Sequence, residues 1–474
     1  MQSCKKPSRV LSGVTVVAVM TAPHPCPHGR CAYCPGGPDL GTPQSYFGEE
    51  PALMRAVSVN YDPYEQVRVR LKQYEVLGYR PSKADVIVMG GTFTALPEWY
   101  QEWFITSVFE AFNRYPMGKP DVLPPLEEAQ LRNEVADVRV VGLTFETRPD
   151  GVNERSINRM LYLGGTRVEL GVQSIYDDVL SLVERGHTVK DVINATQLLK
   201  DSGFKVVYHI MPGLPGSDFH RDLDMVRELF ENEAFMPDML KIYPTLVVKG
   251  TKLYHWWVDG KYRALSDDEA VELISEMYRY IPKWVRVMRI QRDLPAKYIE
   301  AGPKKGNLRE LVELKAMSKG IEINEIRFRE VGRALRDGGG LGKVELITTE
   351  YEASGGTEIF ISAEDLEKDV LIGLVRVRIP SEKAFRPEID SRTAIVRELH
   401  VYGPQLPVGM KAAQHDTQHL GVGAKLLRKA EELVLEKYGM SKVLVLSGVG
   451  AREYYRKLGY FRDLNSPYMK KLLN

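Results

Sequence analysis

Between residues 14 and 243 the chain alternates short apolar runs with longer amphipathic stretches. The runs cover 14–20, 86–89, 138–144, 168–171, 206–210 and 240–243. They are rich in β-branched residues, which pack well on a pleated surface. Their near-continuous apolar character predicts strands buried on both faces. The stretches between, such as 63–77 and 189–200, are long enough for crossover helices. Repeated strand–helix units predict a parallel α/β sheet or barrel. Each run leads into residues that carry chemistry. The first enters a cysteine loop and the second Gly90-Gly91-Thr92; the third precedes Glu146 and Arg148, the fourth Gln173 and Ser174. The fifth enters Met211-Pro212-Gly213-Leu214-Pro215-Gly216, and the sixth carries Lys241 and Tyr243. Barrel enzymes build their sites at the C-terminal ends of the strands, so six such ends predict one functional rim.

From about residue 344 the pattern changes. Segments 357–361, 371–379 and 394–402 read as antiparallel strands. Gln418-His419-Leu420-Gly421-Val422-Gly423 then opens a helix over 424–437, followed by a strand at 443–446 and a helix at 451–458. A glycine loop at a helix N-terminus offers free amide donors and a positive dipole end to a phosphate group. The domain limits predicted are a short basic arm 1–12, a barrel 13–281, a basic linker 282–343 and an α+β domain 344–474. Between 282 and 309, eight basic residues meet only Asp293 and Glu300. Lys283, Arg286, Arg289, Arg292, Lys304 and Lys305 are candidates for phosphate-backbone contacts, the alternative being a solvated or acid-paired face.

A chain of 474 residues with 44% apolar and 27% charged residues suggests two or three soluble domains. Net charge is +1, so any nucleic-acid surface must be local. No apolar run approaches the roughly 20 residues that span a bilayer. Lys5, Lys6 and Arg9 before residues 14–20 mimic a signal peptide, but that run is short and leads straight into the cysteine loop, as a core strand does. Three of four cysteines, Cys26, Cys31 and Cys34, form a C-x4-C-x2-C cluster. Cys4 reads as an ordinary thiol. Three thiolates are one short of a closed tetrahedral site. They suit an iron–sulfur cube with one open iron, a zinc site completed by His24 or His28, or free thiols in a reducing cytoplasm.

The first domain resembles the radical S-adenosylmethionine superfamily, although most members have three residues between the first two cysteines. The resemblance implies a 4Fe-4S cluster on Cys26, Cys31 and Cys34, with S-adenosylmethionine on the free iron. It also implies cofactor contacts from Gly90, Gly91 and Thr92, whose turn matches the glycine pair at the cofactor amino group. Glu146, Arg148 and Gln173 follow on the same rim. The second domain looks like a GNAT-type acetyltransferase. Its acetyl-CoA pyrophosphate loop matches Gln418, Gly421 and Gly423, with His419, Leu420 and Val422 between them. Further motifs are Met89-Gly90-Gly91-Thr92-Phe93, Thr144-Phe145-Glu146-Thr147-Arg148-Pro149-Asp150, Lys241-Ile242-Tyr243-Pro244-Thr245 and Ser447-Gly448-Val449-Gly450. With this domain order, the chain resembles the Elongator catalytic-subunit family in its prokaryotic form. The fold implied is a partial (βα)6 radical barrel followed by an α+β GNAT domain. Family members usually carry a longer basic N-terminal segment for tRNA; here residues 1–11 precede the barrel.

The resemblance implies tRNA wobble-uridine modification. A radical drawn from S-adenosylmethionine would take hydrogen from the acetyl methyl of acetyl-CoA. The carbon radical would add to carbon 5 of uridine, and thioester hydrolysis would leave a carboxymethyl group. An anticodon loop suits this, because unpaired bases can be splayed into a pocket. Lys241 and Tyr243 are candidates for positioning substrate or cofactor. Tyr454 and Tyr455 are adjacent and cannot share one helical face. Tyr454 is the candidate beside the thioester. The competing reading is a protein lysine acetyltransferase with Glu398 as general base. A tRNA-binding scaffold with a structural cluster is a third.

Overall fold

The computed structural model describes residues 13–292, 294–334, 342–403 and 421–474. Seven parallel strands form the first sheet: β1 (Val14–Met20), β2 (Lys83–Met89), β3 (Arg139–Thr147), β4 (Arg167–Gln173), β5 (Lys205–Ile210), β6 (Met239–Ile242) and β8 (Arg286–Ile290). They stand side by side in chain order, with Val17 opposite Val86, Phe145 opposite Val168 and Tyr208 opposite Leu240. The intervening β7 (Val247–Val248) pairs with β9 (Ile299–Ala301) outside this sheet. The sheet is an open half-barrel with β1 and β8 at its edges. Strand β8 falls in the segment expected to be a basic linker, so the sheet has one strand more than the sequence suggested.

Helices on the outside bury alternate strand residues. Val17, Val19, Val86, Val88, Phe145, Leu170, Tyr208 and Leu240 share one core with Tyr64, Val67 and Leu71 of the helix Pro63–Val76. Side-chain caps set the helix starts. Asp62 accepts from the Tyr64 and Glu65 amides, and Thr188 and Asp191 form a capping box at the helix Val189–Asp201. Strand side chains alternate, so the other set faces the concave side. That set includes Asp85, Glu146, Arg167, Glu169, Lys205, His209 and Lys241. The strands are buried on both faces as expected, but the inner face is ionisable rather than aliphatic.

The second sheet runs β10 (Val344–Ala353), β11 (Gly356–Asp365), β12 (Val370–Ile379), β13 (Thr393–Val401), β14 (Lys442–Val445) and β15 (Met469–Leu472). All neighbours are antiparallel except β13 and β14. The helix Val422–Tyr438 covers it through Leu426, Leu427, Ala430 and Val434. The helix expected at 451–458 is a turn, Val449–Ala451, and a short helix, Arg452–Arg456. Among the described residues no helix is long and apolar enough to cross a membrane.

The two sheets share a buried seam. A bulge between β12 and β13 leaves Arg397 out of the ladder and turns it towards the first sheet. Its guanidinium donates to Asp238 Oδ2 and Oδ1 at 2.7 and 2.6 Å and to Glu358 Oε2 at 2.6 Å. Arg378 Nε donates to Asp201 Oδ1 at 2.7 Å. The Ser447-Gly448-Val449-Gly450 run belongs to this seam. A Cβ on Gly448 would stand 2.1 Å from the Val141 carbonyl oxygen, and one on Gly450 2.5 Å from the Arg139 Cβ. These glycines let the second domain lie directly on β3.

Candidate radical active site

The cysteine loop leaves β1 at the C-terminal rim. Its backbone is tied to two other segments: the Ala32 amide donates to the Val183 carbonyl at 3.0 Å, and the Ala32 carbonyl accepts from the Leu253 amide at 2.9 Å. Cys31 and Cys34 are buried, Cys26 is half-buried, and none is in a disulfide. All three line one pocket with Thr92, Glu146, Arg148, Glu169, Gln173, Arg185, His209 and Tyr243. The rim predicted from six strand ends therefore exists as a site.

The glycine turn after β2 lies directly against the thiols. Gly90 has φ +131°, and a Cβ there would meet Thr21 Oγ1 at 2.0 Å, so only glycine fits. A Cβ on Gly91 would lie 3.8 Å from Cys26 Sγ, and Thr92 Oγ1 donates to that sulfur at 3.6 Å. Burial pushes the Cys34 thiol up to about 12 and raises Cys26 as well. Such thiols stay protonated unless a cation binds them, whereas a metal deprotonates its thiol ligands outright. Among the described residues, the group whose donor atoms gather within 4.8 Å is Glu146, Glu169 and His209, not the three thiols. One zinc at about 2.3 Å from each sulfur would hold the sulfurs roughly 3.8 Å apart. The wider spacing fits a polynuclear cluster. His28 Nε2 lies 3.2 Å from Cys31 Sγ; burial, helped by Arg148 and Arg185, lowers it to about 4, so it is neutral. His24 turns away, its ring nitrogens near the Ala22 and Thr92 carbonyls.

Arg185 escaped the sequence reading. It is buried, donates to the Gly171 carbonyl at 2.7 Å and to Cys31 Sγ at 3.6 Å, and has no carboxylate partner among the described residues. A Cβ at position 171 would strike its guanidinium at 2.4 Å, which is why a glycine stands there. The only sequence signal was a basic residue shortly after the fourth strand. Arg148 supports it, donating to the Arg185 carbonyl at 2.7 Å while held by Asp150 at 2.8 Å. Arg148 is thus mostly a brace. Glu146 accepts from Tyr46 at 3.2 Å, and burial pushes it up to about 7 despite Lys241 nearby. Gln173 takes a left-handed φ of 69°, at a register shift between β4 and β5. Its buried Oε1 has no partner among the described residues, which marks a strained, ligand-facing position.

Tyr243 lines the pocket, edge-on to His209 with ring centres 5.5 Å apart. Lys241, expected at the rim beside it, lies behind the lining. It donates to Glu169 Oε2, and Glu169 is the residue that faces the pocket. The turn 211–216 is largely structural: the Gly213 amide donates to Asp222 and its carbonyl accepts from Tyr262, both at 2.6 Å.

The basic stretch is divided by the fold. Arg286 pairs with Glu330 at 2.9 Å and donates to the Tyr402 hydroxyl, so its expected phosphate contact is replaced by an internal ion pair. Arg309 likewise pairs with Glu313 and Glu325. Arg289 and Arg292 line the cysteine pocket, and Arg292 donates to the Ser45 carbonyl. Lys283, Lys304 and Lys305 remain exposed, with Asp369 3.8 Å from Lys283 and Asp268 3.4 Å from Lys305.

In the second domain Gln418, His419 and Leu420 lie outside the described residues. Gly421 stands at the helix start with φ 70°, and among the described residues no side chain caps it. A Cβ on Gly423 would lie 2.7 Å from the Tyr454 hydroxyl, so Tyr454 lies over the helix start. Tyr455 is buried against Tyr460. The two tyrosines diverge as the sequence required. Glu398 accepts from Arg376 Nε at 2.7 Å, and although burial alone would raise it, Arg376 holds it below its ordinary value. A carboxylate bound in this way is a weak base for an amine.

A parallel half-barrel with three thiols lining one pocket at its rim defines the radical S-adenosylmethionine class. Family models agree: "Radical SAM superfamily" matches residues 24–229 and "Radical_SAM C-terminal domain" residues 237–318. The chain is 51% identical to the tRNA uridine(34) acetyltransferase of Methanocaldococcus jannaschii, over 99% of its own length and 86% of that protein. It is 45% identical to human Elongator complex protein 3, again over 99% and 86%. The solved structure of the archaeal Methanocaldococcus infernus Elp3 with N-terminus deletion (1–46) superposes with a TM-score of 0.84 at 46% identity, covering 97% of this chain and 99% of that one. The chain belongs to the family of tRNA uridine(34) acetyltransferases and Elongator complex protein 3.

Proposed function

We propose that this chain modifies the wobble uridine of tRNA, using acetyl-CoA and S-adenosylmethionine to place a carboxymethyl group on carbon 5. The observation that carries the reading is one folded unit holding both an open three-thiol pocket and a glycine helix start under a tyrosine. Cys26, Cys31 and Cys34 would hold a 4Fe-4S cluster. Arg185, a buried cation without a carboxylate, suits the cofactor's carboxylate, and Glu146 suits its amino group. When bound, this pair supplies a carbon-centred radical able to take hydrogen from an acetyl methyl group.

The protein's own part is binding, orientation and exclusion of water. Gly90, Gly91 and Thr92 shield Cys26. Gly421, Val422 and Gly423 offer free amides to a pyrophosphate. Tyr243 and Glu169 present polar atoms to a substrate in the pocket, while exposed Lys283, Lys304 and Lys305 offer charge to a tRNA backbone. Anaerobic reconstitution with iron and sulfide tests the reading, followed by nucleoside analysis of tRNA incubated with both co-substrates. The expected product is 5-carboxymethyluridine, absent with Cys31→Ala, which should also lose visible absorbance. Stoichiometric zinc without iron uptake, or unmodified tRNA from iron-loaded protein, overturns it.

A further inference from the structure

Glu169, His209 and Lys241 come from neighbouring strands β4, β5 and β6 and meet on the concave face. Glu169 is completely buried. Its Oε2 accepts from His209 Nε2 at 2.8 Å and from Lys241 Nζ. Its Oε1 has no partner among the described residues, although the side chain lines the cysteine pocket. A buried carboxylate oxygen left unpaired bears its full desolvation cost, and such groups in native proteins call for an explanation. Lys241 already supplies the positive charge, so a metal ion is not what Oε1 lacks. What it lacks is one hydrogen-bond donor, and the pocket it lines is where a bound molecule can supply one.

We propose that Glu169 determines specificity for uracil, its free Oε1 accepting the ring N3–H, with Lys241 and His209 as positioning residues that fix the carboxylate. This rests on the wobble-uridine reading above. An ionised carboxylate accepts and cannot donate. Uracil offers a hydrogen at N3, whereas cytosine offers a lone pair there and would be repelled. A site built around a substrate N–H rejects analogues lacking it more strongly than shape alone can, because the site group is left unpaired. Tyr243, on the same wall, is a hydroxyl that can meet a ring carbonyl.

The experiment compares anticodon stem-loops carrying uridine, N3-methyluridine or cytidine at the wobble position. Affinity is measured on reconstituted protein, wild type and Glu169→Gln, with S-adenosylmethionine affinity measured alongside. Wild type should bind the N3-methyl and cytidine forms more weakly than uridine by more than the roughly 200-fold that shape alone can give. Glu169→Gln should bind uridine more weakly and narrow both ratios towards one, with S-adenosylmethionine affinity unchanged. If Glu169→Gln does not fold, the wild-type ratios decide alone. Equal wild-type affinity for uridine and N3-methyluridine overturns the proposal, as do unchanged ratios in Glu169→Gln. A loss confined to S-adenosylmethionine affinity also overturns it and assigns Oε1 to a cofactor hydroxyl. Failure of the wild type to form 5-carboxymethyluridine would sink the functional reading instead, and the binding ratios would still stand or fall independently.

Discussion

Replacing Arg397 by methionine should unfold the seam between the domains before anything else. Arg397 is fully buried, and its guanidinium also donates to the Phe204 carbonyl at 2.7 Å. Around it, Arg376, Arg378 and Lys200 face Asp201, Asp238, Glu358 and Glu398, so the signs balance with Arg397 present. Removing one partner of a buried pair costs about 3–5 kcal/mol, because the other charge stays buried. Here the lower end applies. Lys200 remains 3.6 Å from Asp238 and 3.5 Å from Glu358, and Arg378 still holds Glu358 at 3.0 Å. Burial lowers the Lys200 ammonium to about 8, and losing the nearby Arg397 charge should let it rise and take over as counter-ion. The expected loss is about 3 kcal/mol, or roughly 6–12 °C in Tm for a domain-sized cooperative unit. Adding Asp238→Asn should recover part of this, since it removes the stranded charge. Burial alone would raise the Asp238 carboxyl, but Arg397 and Lys200 hold it below the carboxylate range. A depressed carboxylate contributes stability above about pH 3.9 that is lost as pH falls. Protonating Asp238 removes the same stranded charge, so the stability gap between Arg397→Met and the parent should narrow as pH falls. Chemical denaturation followed by tryptophan fluorescence measures all three. A loss under about 1 kcal/mol, or strict additivity with Asp238→Asn, would refute the reasoning.

Gly448→Ala forces a methyl to 2.1 Å from the Val141 backbone, so a Tm drop is expected and an unchanged Tm would show that the seam opens freely. Gly423→Asp should weaken acetyl-CoA binding in calorimetry, both by charge at the helix start and by displacing Tyr454; unchanged affinity counts against the site. Ala at Lys283, Lys304 and Lys305 together should weaken tRNA binding and lower its salt slope by about 0.7–0.9 per lost phosphate contact, whereas a parental slope means a solvated face. Burial, outweighing Lys241, pushes Glu146 up to about 7, so the folded state holds a proton the unfolded chain releases near pH 4.3. That contribution is full below pH 4.3 and lost as pH rises towards 7; Glu146→Gln should flatten stability across this window, and an unaltered pH slope would contradict it.

Local information was enough for much of this molecule. Apolar periodicity placed six of the seven barrel strands, because a buried strand between helices must be apolar in sequence. Cysteine spacing and Gly90-Gly91-Thr92 announced the pocket, because thiol clusters and left-handed turns need particular residues at particular offsets. The adjacency of Tyr454 and Tyr455 was enough to predict that only one could face the helix start. Tertiary structure decided the rest. Strand β8 was hidden by Arg286 and Arg289, whose charges read as a surface until Glu330, Tyr402 and the pocket wall surrounded them. Arg185 stayed invisible because its partner Cys31 is 154 residues away in the chain. Lys241 looked like a rim residue until Glu169, on another strand, came between it and the pocket. Arg397 carried no sequence signal of its role, yet the β13 bulge sends it to Asp238 in the other domain. Each of these depends on which charges the fold brings within about 3 Å, a distance that sequence order does not encode.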